Sequence, residues 1–351
     1  MSLTAALDER AAERVGVGEL SVPAHFGDPQ REYEAARDAV ALTHRAARGL
    51  FRVAGADRVK FLQGLLSNDI AKPAAGSGTR ALFLDNKGHV RGVLDLWVGD
   101  EALMVGCDAR FMDEVLPDLT RYILGSEVQV QDLRSERLVL ALLGAGVDDA
   151  LAEAGLEPPA AANGAHAGAE IAGTPVWLAR TPDLGAPGVE VHVPAAAATA
   201  VWDALEALTG EPPACAGWHA CEALRIEAGV PRMGHEITAA EFPQELRLND
   251  AVDYQKGCYL GQETVARIHY RGRVNRLLCG LRGDGPLPAG AELILSDKQV
   301  GRITSTAPSP HGAVALALIR REDAESNATV QVRDGGETVA EARVMTPPFG
   351  G

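Results

Sequence analysis

The sequence predicts an α+β protein of two or three packed units that ends in a small β-barrel. Three observations indicate this class. The chain has 351 residues, more than one domain usually holds, and 46% of them are hydrophobic, enough for large buried cores. Before the C-terminal quarter, segments with a helical period alternate with segments that read as strands. From about Val274 onward, short strand patterns are separated by Gly and Pro turns, which is typical of a small barrel or sandwich.

The N-terminal half begins with residues 1–45, which are mixed and lightly apolar and are expected to form an N-terminal extension. A helix is predicted in GADRVKFLQGLLSNDI, because Asp57 can cap it and apolar residues recur on one face. Three strands follow in ALFLDNKGHVRGVLDLWVGDEALMVGC, joined by turns that contain Gly88 and Gly99. A helix interrupted near Pro117 comes next.

The second half starts with a segment near 158–173 that is rich in Ala, Gly and Pro and is predicted to be a linker. Two strands and two helices follow, and the second helix, WHACEALRIEAG, ends at Gly229. We therefore place a central region at 46–272, divided by the linker, and a C-terminal β-barrel domain at 273–351.

Charge and cysteine content limit the compartment and the partners. With 33 basic and 48 acidic residues, the net charge is -15, so extended nonspecific binding to nucleic acid or anionic membrane is disfavoured. Five cysteines without a C-x-x-C pair argue against a disulfide framework. The N-terminus lacks a secretory pattern, and no apolar run approaches the roughly 20 residues that span a bilayer. We expect a soluble cytoplasmic monomer without a metal centre.

The segment DYQKGCYLGQETVARIHYRGRVNR, residues 253–276, is basic within this acidic chain. Its cations are Lys256, Arg267, Arg271, Arg273 and Arg276. Arginine forks suit carboxylates and phosphates, although surface pairing with the many acids is the alternative. Cys258 follows Gly257, which permits close approach of a ligand, and Lys256 favours its thiolate form. The alternative is a buried cysteine that acts as a small hydrophobe.

These residues carry a family resemblance. KGCYLGQETVARIHYRGRVNR, with the upstream RIEAGVPRMGHEITAAEFPQE and FLQGLLSNDI, resembles the YgfZ-type folate-binding proteins of iron–sulfur cluster assembly and repair. Those proteins are similar to the glycine-cleavage T-protein, a tetrahydrofolate-dependent aminomethyltransferase. The likeness runs from about Phe51 to the C-terminal barrel. It implies a three-lobed ring around a central folate pocket, with the barrel as one lobe.

The resemblance also implies the site residues. Lys256 and Cys258 form the functional signature pair. The implied folate-binding residues are Asn68, Glu227, Tyr259, Gln262, Arg267 and Arg271. A carboxylate at Glu227 can accept two hydrogen bonds from the amino-pyrimidinone edge of a pterin, whereas an ordinary helix acid beside Arg225 is the alternative. The arginines would then meet the anionic glutamyl tail of folate, or a phosphate-bearing partner such as tRNA.

One departure from the T-proteins bears on chemistry. Their Gly-Gly-x-x-Asp-Asp strand carries an acid that handles a proton, and the matching stretch here is KGHVRGVLDLWV, with Gly92 and Val93 at the pair. Asp95 lies two residues further, displaced by roughly 6–7 Å along a strand. General acid–base catalysis needs contact at about 3 Å. We therefore expect the transferase chemistry to be absent.

Three functions follow from these observations. The first is a tetrahydrofolate-binding accessory protein for assembly or repair of iron–sulfur enzymes, including tRNA-modifying ones, with Cys258 as nucleophile, cluster ligand or redox sensor. The second is a folate-dependent aminomethyltransferase or demethylase. The third is a tRNA-binding module, against which stand the overall acidity and the shortage of stacking aromatics.

Overall fold

The computed structural model describes residues 2–324 and 327–350, which form two five-stranded sheets, a closed six-stranded barrel and a hairpin. The helices of this part are α1 (Leu3–Arg10), α2 (Pro29–Asp38), α3 (Arg58–Leu65), α4 (Ala109–Glu114), α5 (Leu116–Thr120), α6 (Val147–Glu153), α7 (Ala198–Glu206), α8 (Trp218–Ala228), α9 (Gln262–Arg271) and α10 (Arg321–Ala324). Single 3₁₀ turns span Arg121–Ile123, Pro182–Leu184, Ala195–Ala197, Ala207–Thr209 and Asn249–Ala251.

Helices are interspersed among the strands as far as α9, whereas after α9 the one helix among the described residues is α10. They are β1 (Glu13–Val17), β2 (Leu20–His25), β3 (Ala41–His44), β4 (Arg48–Ala54), β5 (Gly78–Leu84), β6 (Val90–Val98), β7 (Ala102–Asp108), β8 (Gln129–Asp132), β9 (Arg137–Leu143), β10 (His166–Ile171), β11 (Thr174–Ala179), β12 (Gly188–Pro194), β13 (Arg276–Gly283), β14 (Glu292–Leu295), β15 (Lys298–Ser309), β16 (Gly312–Arg320), β17 (Thr329–Asp334) and β18 (Glu337–Met345).

The first sheet has the order β5-β6-β7-β4-β8 and is antiparallel throughout. Strand β6 pairs with β7 in a register that sets Asp95 opposite Gly106. Its core includes Phe51, Phe83 and Phe111, all at most 2% exposed, against which α3 packs Leu62. Burial of this apolar face stabilises the lobe.

The second sheet has the order β10-β11-β12-β9-β3, and the barrel has the order β13-β16-β15-β14-β17-β18 with β18 paired back to β13. Helix α7 covers the second sheet through Trp202, which is 1% exposed. Closure of the barrel leaves no free sheet edge. The three lobes of the predicted α+β fold, with the barrel as the C-terminal one, are thus present.

Helix α8 runs between the lobes and positions the candidate site. It packs against α2, β2, β15 and β16, and it ends at Gly229, whose left-handed φ of 76° a side chain would disfavour. The predictions for α3 and α8 and for the three strands β5 to β7 are confirmed.

Other predicted segments differ in detail. Residues 1–45, predicted as an N-terminal extension, supply α1, α2, the β1–β2 hairpin and β3, and β3 is an edge strand of the second sheet. The predicted linker at 158–173 is a loop only in its first part, because β10 lies within it and pairs with β11. Ala and Gly are poor strand formers, so composition concealed this strand. No helix of the described residues is long and apolar enough to cross a membrane.

Candidate functional site

A central cavity opens where the two sheets, the N-terminal hairpin and α8 meet. Its wall comes from the β1–β2 region, the β3–β4 connection, the end of β7, α8 and the loop after it. The aromatic and acidic members of that wall are Phe26, Trp218, Asp108, Asp183 and Glu222. A concave, largely apolar wall with a few convergent polar groups is the usual form of a small-molecule site.

A largely buried cluster of three arginines and three acids forms part of the cavity wall and extends behind it. Its members are Arg45, Arg48, Arg80, Asp95, Asp183 and Glu190. Arg48 is 3% exposed in its side chain and bonds Asp95 at 2.7 Å and Asp183 at 3.1 Å. Because each charge has an opposite partner within hydrogen-bonding distance, burial of this cluster is compensated.

Asp95 belongs to this cluster and is not free to exchange protons with a ligand. Its carboxylate accepts hydrogen bonds from Arg80 at 2.8 Å, Arg48 at 2.7 Å and the Thr181 hydroxyl at 2.7 Å. Burial opposes ionisation, but the two guanidiniums outweigh it and lower the pKa of Asp95. The sequence argument that Asp95 is a poor substitute acid thus gains a structural reason.

The neighbouring positions of β6 carry no acid either. Val93 lines the cavity, and a Cβ at Gly92 would overlap the ring of Phe111. Any side chain at position 92 would therefore require Phe111 to move from a buried position.

A second buried network holds α8 to the loop after it. Arg225 binds Glu222 through two nitrogens at 2.6 and 3.0 Å, and Arg232 binds the same carboxylate at 2.9 Å. Burial works against ionisation, but these two guanidiniums lower the pKa of Glu222. Arg232 also lies over the Trp218 ring, 4.8 Å from its centroid. Trp218, one of the aromatic residues of the cavity wall, thus has a charged neighbour against its ring.

Lys256 lies outside the cavity and ties the motif segment to the end of α3. Its ammonium donates hydrogen bonds to the carbonyl oxygens of Leu66 and Asn68 at 2.7 Å and of Gln63 at 2.9 Å. An ammonium has three donors, so all are used. Burial lowers the pKa of Lys256 to about 8. This geometry is that of a structural link, and the predicted role of Lys256 in a reactive pair stays a prediction.

Cys258 is exposed, two residues beyond that link. The other four thiols, Cys107, Cys215, Cys221 and Cys279, are buried or partly buried, and burial raises the pKa of each of them, that of Cys215 to about 12. Accessibility therefore distinguishes Cys258 from the remaining cysteines.

The other predicted site residues near Cys258 contact Lys256 or begin the helix that follows the motif. Asn68 accepts from Lys256 through its carbonyl and donates its side-chain amide to Arg80 O at 2.8 Å. Tyr259 is 7% exposed, with its ring 5.4 Å from the Lys256 ammonium. Gln262 is the first residue of α9, which begins after Gly261 in the left-handed region at φ 80°.

Arg267 and Arg271 lie exposed on α9, and within residues 2–324 and 327–350 neither forms an ion pair. Beside them the rings of Tyr254 and His269 stack at 3.6 Å, with Tyr270 edge-on and 64% exposed. Arg276 of the same basic segment binds Glu245 at 3.1 Å, so among the described residues pairing with an acid holds for that arginine and not for Arg267 or Arg271. Arg267 and Arg271 form a basic surface with aromatic neighbours.

Glu227 lies on the side of α8 that faces the barrel. Its carboxylate accepts hydrogen bonds from the Tyr33 hydroxyl at 2.5 Å and from Arg282 at 3.3 Å, and it is 3% exposed. Two residues along a helix rotate a side chain by about 200°, so Glu227 points away from the face on which Arg225 lines the cavity.

None of the eight predicted site residues lines the central cavity. Asn68 and Tyr259 lie next to Lys256, in the segment that carries the exposed Cys258 and leads into Gln262, whereas Glu227 is buried on α8. Their predicted roles in folate binding and chemistry stay predictions. The cavity residues that sequence reasoning missed, Asp108, Asp183 and Trp218 among them, come from distant segments without a shared motif.

Comparison with known proteins assigns the family. Residues 3–256 match the GCVT N-terminal domain, and residues 276–350 match the glycine cleavage T-protein C-terminal barrel domain. The chain therefore belongs to the glycine cleavage T-protein family.

Individual relatives agree with this family. The aminomethyltransferase of Mycobacterium leprae (strain Br4923) is 30% identical over 353 residues, 97% of this chain and 94% of the relative. That of Mycolicibacterium paratuberculosis (strain ATCC BAA-968 / K-10) is 31% identical over 347 residues, 93% of this chain and 90% of the relative. The crystal structure of aminomethyltransferase T from Bartonella henselae has a TM-score of 0.87 at 24% identity, covering 100% of this chain and 97% of that chain. The predicted T-protein fold is confirmed.

Proposed function

We propose that this protein binds tetrahydrofolate in the central cavity. The observation that carries the proposal is a concave site at the junction of the lobes, with aromatic faces at Phe26 and Trp218 and carboxylates at its wall, in a chain of the T-protein family. Aromatic faces can stack on a pteridine ring, and a carboxylate can accept from its N–H edge. When bound, tetrahydrofolate would supply a carrier for one-carbon units.

The cavity residues fit such a ligand in their chemistry. Arg45 and Arg48 lie in the same wall as Phe26, so cationic groups stand near the aromatic faces. Trp218 is held by Arg232, which keeps one stacking surface in place without a ligand. A pre-oriented aromatic wall lowers the entropy lost on binding.

Calorimetric titration with tetrahydrofolate tests the proposal. Ala47 lines the cavity, so Ala47→Trp should fill it and abolish binding, whereas Ala160→Trp, the same change at an exposed loop position, should not. The variant Glu227→Ala distinguishes a ligand in the central cavity from a ligand bound at Glu227. Binding that survives Ala47→Trp and is lost in a folded Glu227→Ala variant would place the ligand at Glu227 and refute the cavity.

We propose further that folate binding serves the assembly or repair of iron–sulfur enzymes, including tRNA-modifying ones. The support is Cys258, an exposed thiol in a K-G-C-Y-x-G-Q-E motif held rigid by Lys256, together with the missing acid at Gly92 and Val93. Such a thiol is accessible to a client protein in a way that the buried cysteines are not.

A deletion strain assayed for several iron–sulfur enzyme activities tests this role. Loss of those activities, restored by the wild-type gene and not by Cys258→Ser, is the expected result. Unchanged enzyme activities in the deletion strain would refute the role in iron–sulfur enzyme maintenance. Full restoration by Cys258→Ser would refute only the requirement for the Cys258 thiol in that role.

The comparisons favour a second candidate, a folate-dependent aminomethyltransferase or demethylase, because relatives named aminomethyltransferase cover nearly the whole chain. Against it stands β6, where Val93 is apolar and Phe111 fills the space beside Gly92. Folate-dependent release of ammonia from an aminomethyl-lipoyl carrier well above background would establish the transferase. Transfer of the methyl group of an N-methylated amine to tetrahydrofolate, with formation of a methyl-folate and release of the demethylated amine, would establish the demethylase.

A third candidate rests on the basic surface of α9, where Arg267, Arg271 and the exposed Tyr270 lie together. Phosphates and stacked bases are the ligands that such a set favours, so a tRNA contact belongs here. Electrophoretic mobility shift with tRNA, compared between wild type and an Arg267→Glu/Arg271→Glu variant, tests it. Equally weak retardation of tRNA by the wild type and the variant would refute a specific tRNA contact at Arg267 and Arg271.

A further inference from the structure

Asp108 differs from the other acids of the central cavity in its charge partners. The cavity wall contains three acids. Asp183 bonds Arg45 at 2.7 Å, and Glu222 is held by two arginines. Asp108 forms no ion pair within the described ranges 2–324 and 327–350.

Within the described residues, one of the two oxygens of the Asp108 carboxylate accepts a hydrogen bond. Its Oδ1 accepts the backbone N–H of Arg110 at 2.9 Å, which orients the group at the end of β7. Its other oxygen has no donor in the part of the chain that the structure describes. A partly buried carboxylate oxygen that faces a cavity without a donor is open to a ligand N–H.

Asp108 lines the same cavity as the position where β6 lacks an acid. The β6–β7 pairing ends with Asp95 opposite Gly106, and Val93 and Asp108 each lie two residues beyond this pair on their own strand. Both residues line the cavity. The carboxylate is thus carried by β7 in a wall to which β6 contributes valine.

The charged groups around Asp108 leave it able to titrate. Burial raises the pKa of its carboxyl, whereas the backbone N–H of Arg110 acts in the opposite direction. The nearby Asp183 charge also raises this pKa, and the guanidiniums of Arg232 and Arg110 lower it. Cys107 precedes Asp108 on β7, and Arg48 is opposite Asp108 on the neighbouring strand β4. The Arg48 guanidinium forms its ion pairs within the buried cluster.

We propose that Asp108 is the ligand-contacting acid of the cavity and that its free oxygen accepts a hydrogen bond from an N–H of the tetrahydropteridine ring seated against Val93. This inference rests on the proposed binding of tetrahydrofolate. Only the ionised carboxylate accepts this bond with full strength. Binding therefore favours ionisation and releases a proton where Asp108 is partly protonated in the free protein.

Titration calorimetry of the full-length protein with tetrahydrofolate, from mildly acidic to neutral pH and in two buffers of different ionisation enthalpy, tests the assignment. The wild type should bind more tightly as pH rises and release a proton at the acidic end. Asp108→Asn keeps an oxygen for the Arg110 N–H but should bind about tenfold or more weakly at neutral pH and release no proton. Asp113→Asn, on the exposed side of α4, is the matched control and should behave as wild type.

A double variant returns the acid to the opposite strand. Val93→Asp in the Asp108→Asn background should recover part of the affinity and the proton release, because both residues line the cavity. If the wild type binds tetrahydrofolate and Asp108→Asn shows the same affinity and the same proton release, the role of Asp108 is refuted while the proposed function stands. Absence of tetrahydrofolate binding by the wild type would overturn the proposed function and this assignment with it.

Discussion

Replacement of Lys256 by methionine is expected to destabilise the protein strongly. Methionine keeps the length of the side chain and removes the ammonium, whose three protons are donated to Leu66 O, Asn68 O and Gln63 O. Those carbonyls lie at and beyond the C-terminal end of α3, where helical carbonyls lack partners. The substitution therefore leaves three acceptors without donors at once.

The magnitude follows from the burial of the group. A hydrogen bond to a charged group contributes about 1.5–3 kcal/mol, and Lys256 is only 9% exposed, so solvent screens these bonds weakly. The cost of burying the ammonium offsets part of the sum. We expect a net loss of about 3–5 kcal/mol of unfolding free energy, a large share of the roughly 5–15 kcal/mol of a typical domain.

Urea unfolding followed by circular dichroism measures the loss, and hydrogen exchange at residues 63–70 locates it. Lys72→Met is the matched control, because Lys72 is 69% exposed and bonds only carboxylates at the surface, where ion pairs contribute little. Equal stability of Lys256→Met and Lys72→Met, with unchanged exchange at the end of α3, would refute the structural role of the lysine.

Three further predictions concern the buried cluster, the β6 strand and the thiols. Glu190 is fully buried, and although burial works against ionisation, Arg48 and Arg45 hold its pKa at about 2. The stabilisation from its ionised form is present above its unfolded pKa of about 4.3 and is lost as pH falls towards 2, so Glu190→Gln should lose on the order of 3 kcal/mol of unfolding free energy at neutral pH. A plot of urea midpoint against pH should accordingly fall less steeply at acidic pH for Glu190→Gln than for the wild type. Gly92→Ala should lose about 1–3 kcal/mol by overlap with Phe111, and Phe111→Leu in the same chain should recover part of it; an unchanged midpoint for Gly92→Ala would show that the space is free. Iodoacetamide should label Cys258 faster than the other four cysteines near neutral pH, as read by mass spectrometry, and equal rates would contradict its accessibility.

The fold was largely predictable because its signals are local. Helix α8 has apolar residues at helical spacing and a terminal glycine at Gly229, and the barrel strands are separated by Gly and Pro turns. Strand β10 escaped prediction because its alanine and glycine content gave no strand signal, and it forms by pairing with β11.

The candidate site was predictable only where its residues are contiguous. The motif around Cys258 stands out as one basic segment, yet the function of Lys256 depends on carbonyls about 190 residues earlier, which no local pattern reveals. The cavity is more distributed still, since Phe26, Asp108 and Trp218 come from three separate parts of the chain. Sequence similarity points to family residues such as Glu227, but it does not state which face of a helix meets the ligand.

The arginines of the cavity wall and those of α9 differ in their charge partners. Arg48 in the wall binds two acids at hydrogen-bonding distance, so it orients its neighbours and adds little net charge there. Arg267 and Arg271 on α9 lie outside the cavity wall and keep their charge at the surface, on the helix that follows the Cys258 motif. Their predicted contact with the glutamyl tail of folate stays a prediction. Cys258→Ser should leave tetrahydrofolate affinity unchanged, and Asp108→Asn should leave the labelling rate of Cys258 unchanged, because Asp108 lines the cavity and Cys258 does not.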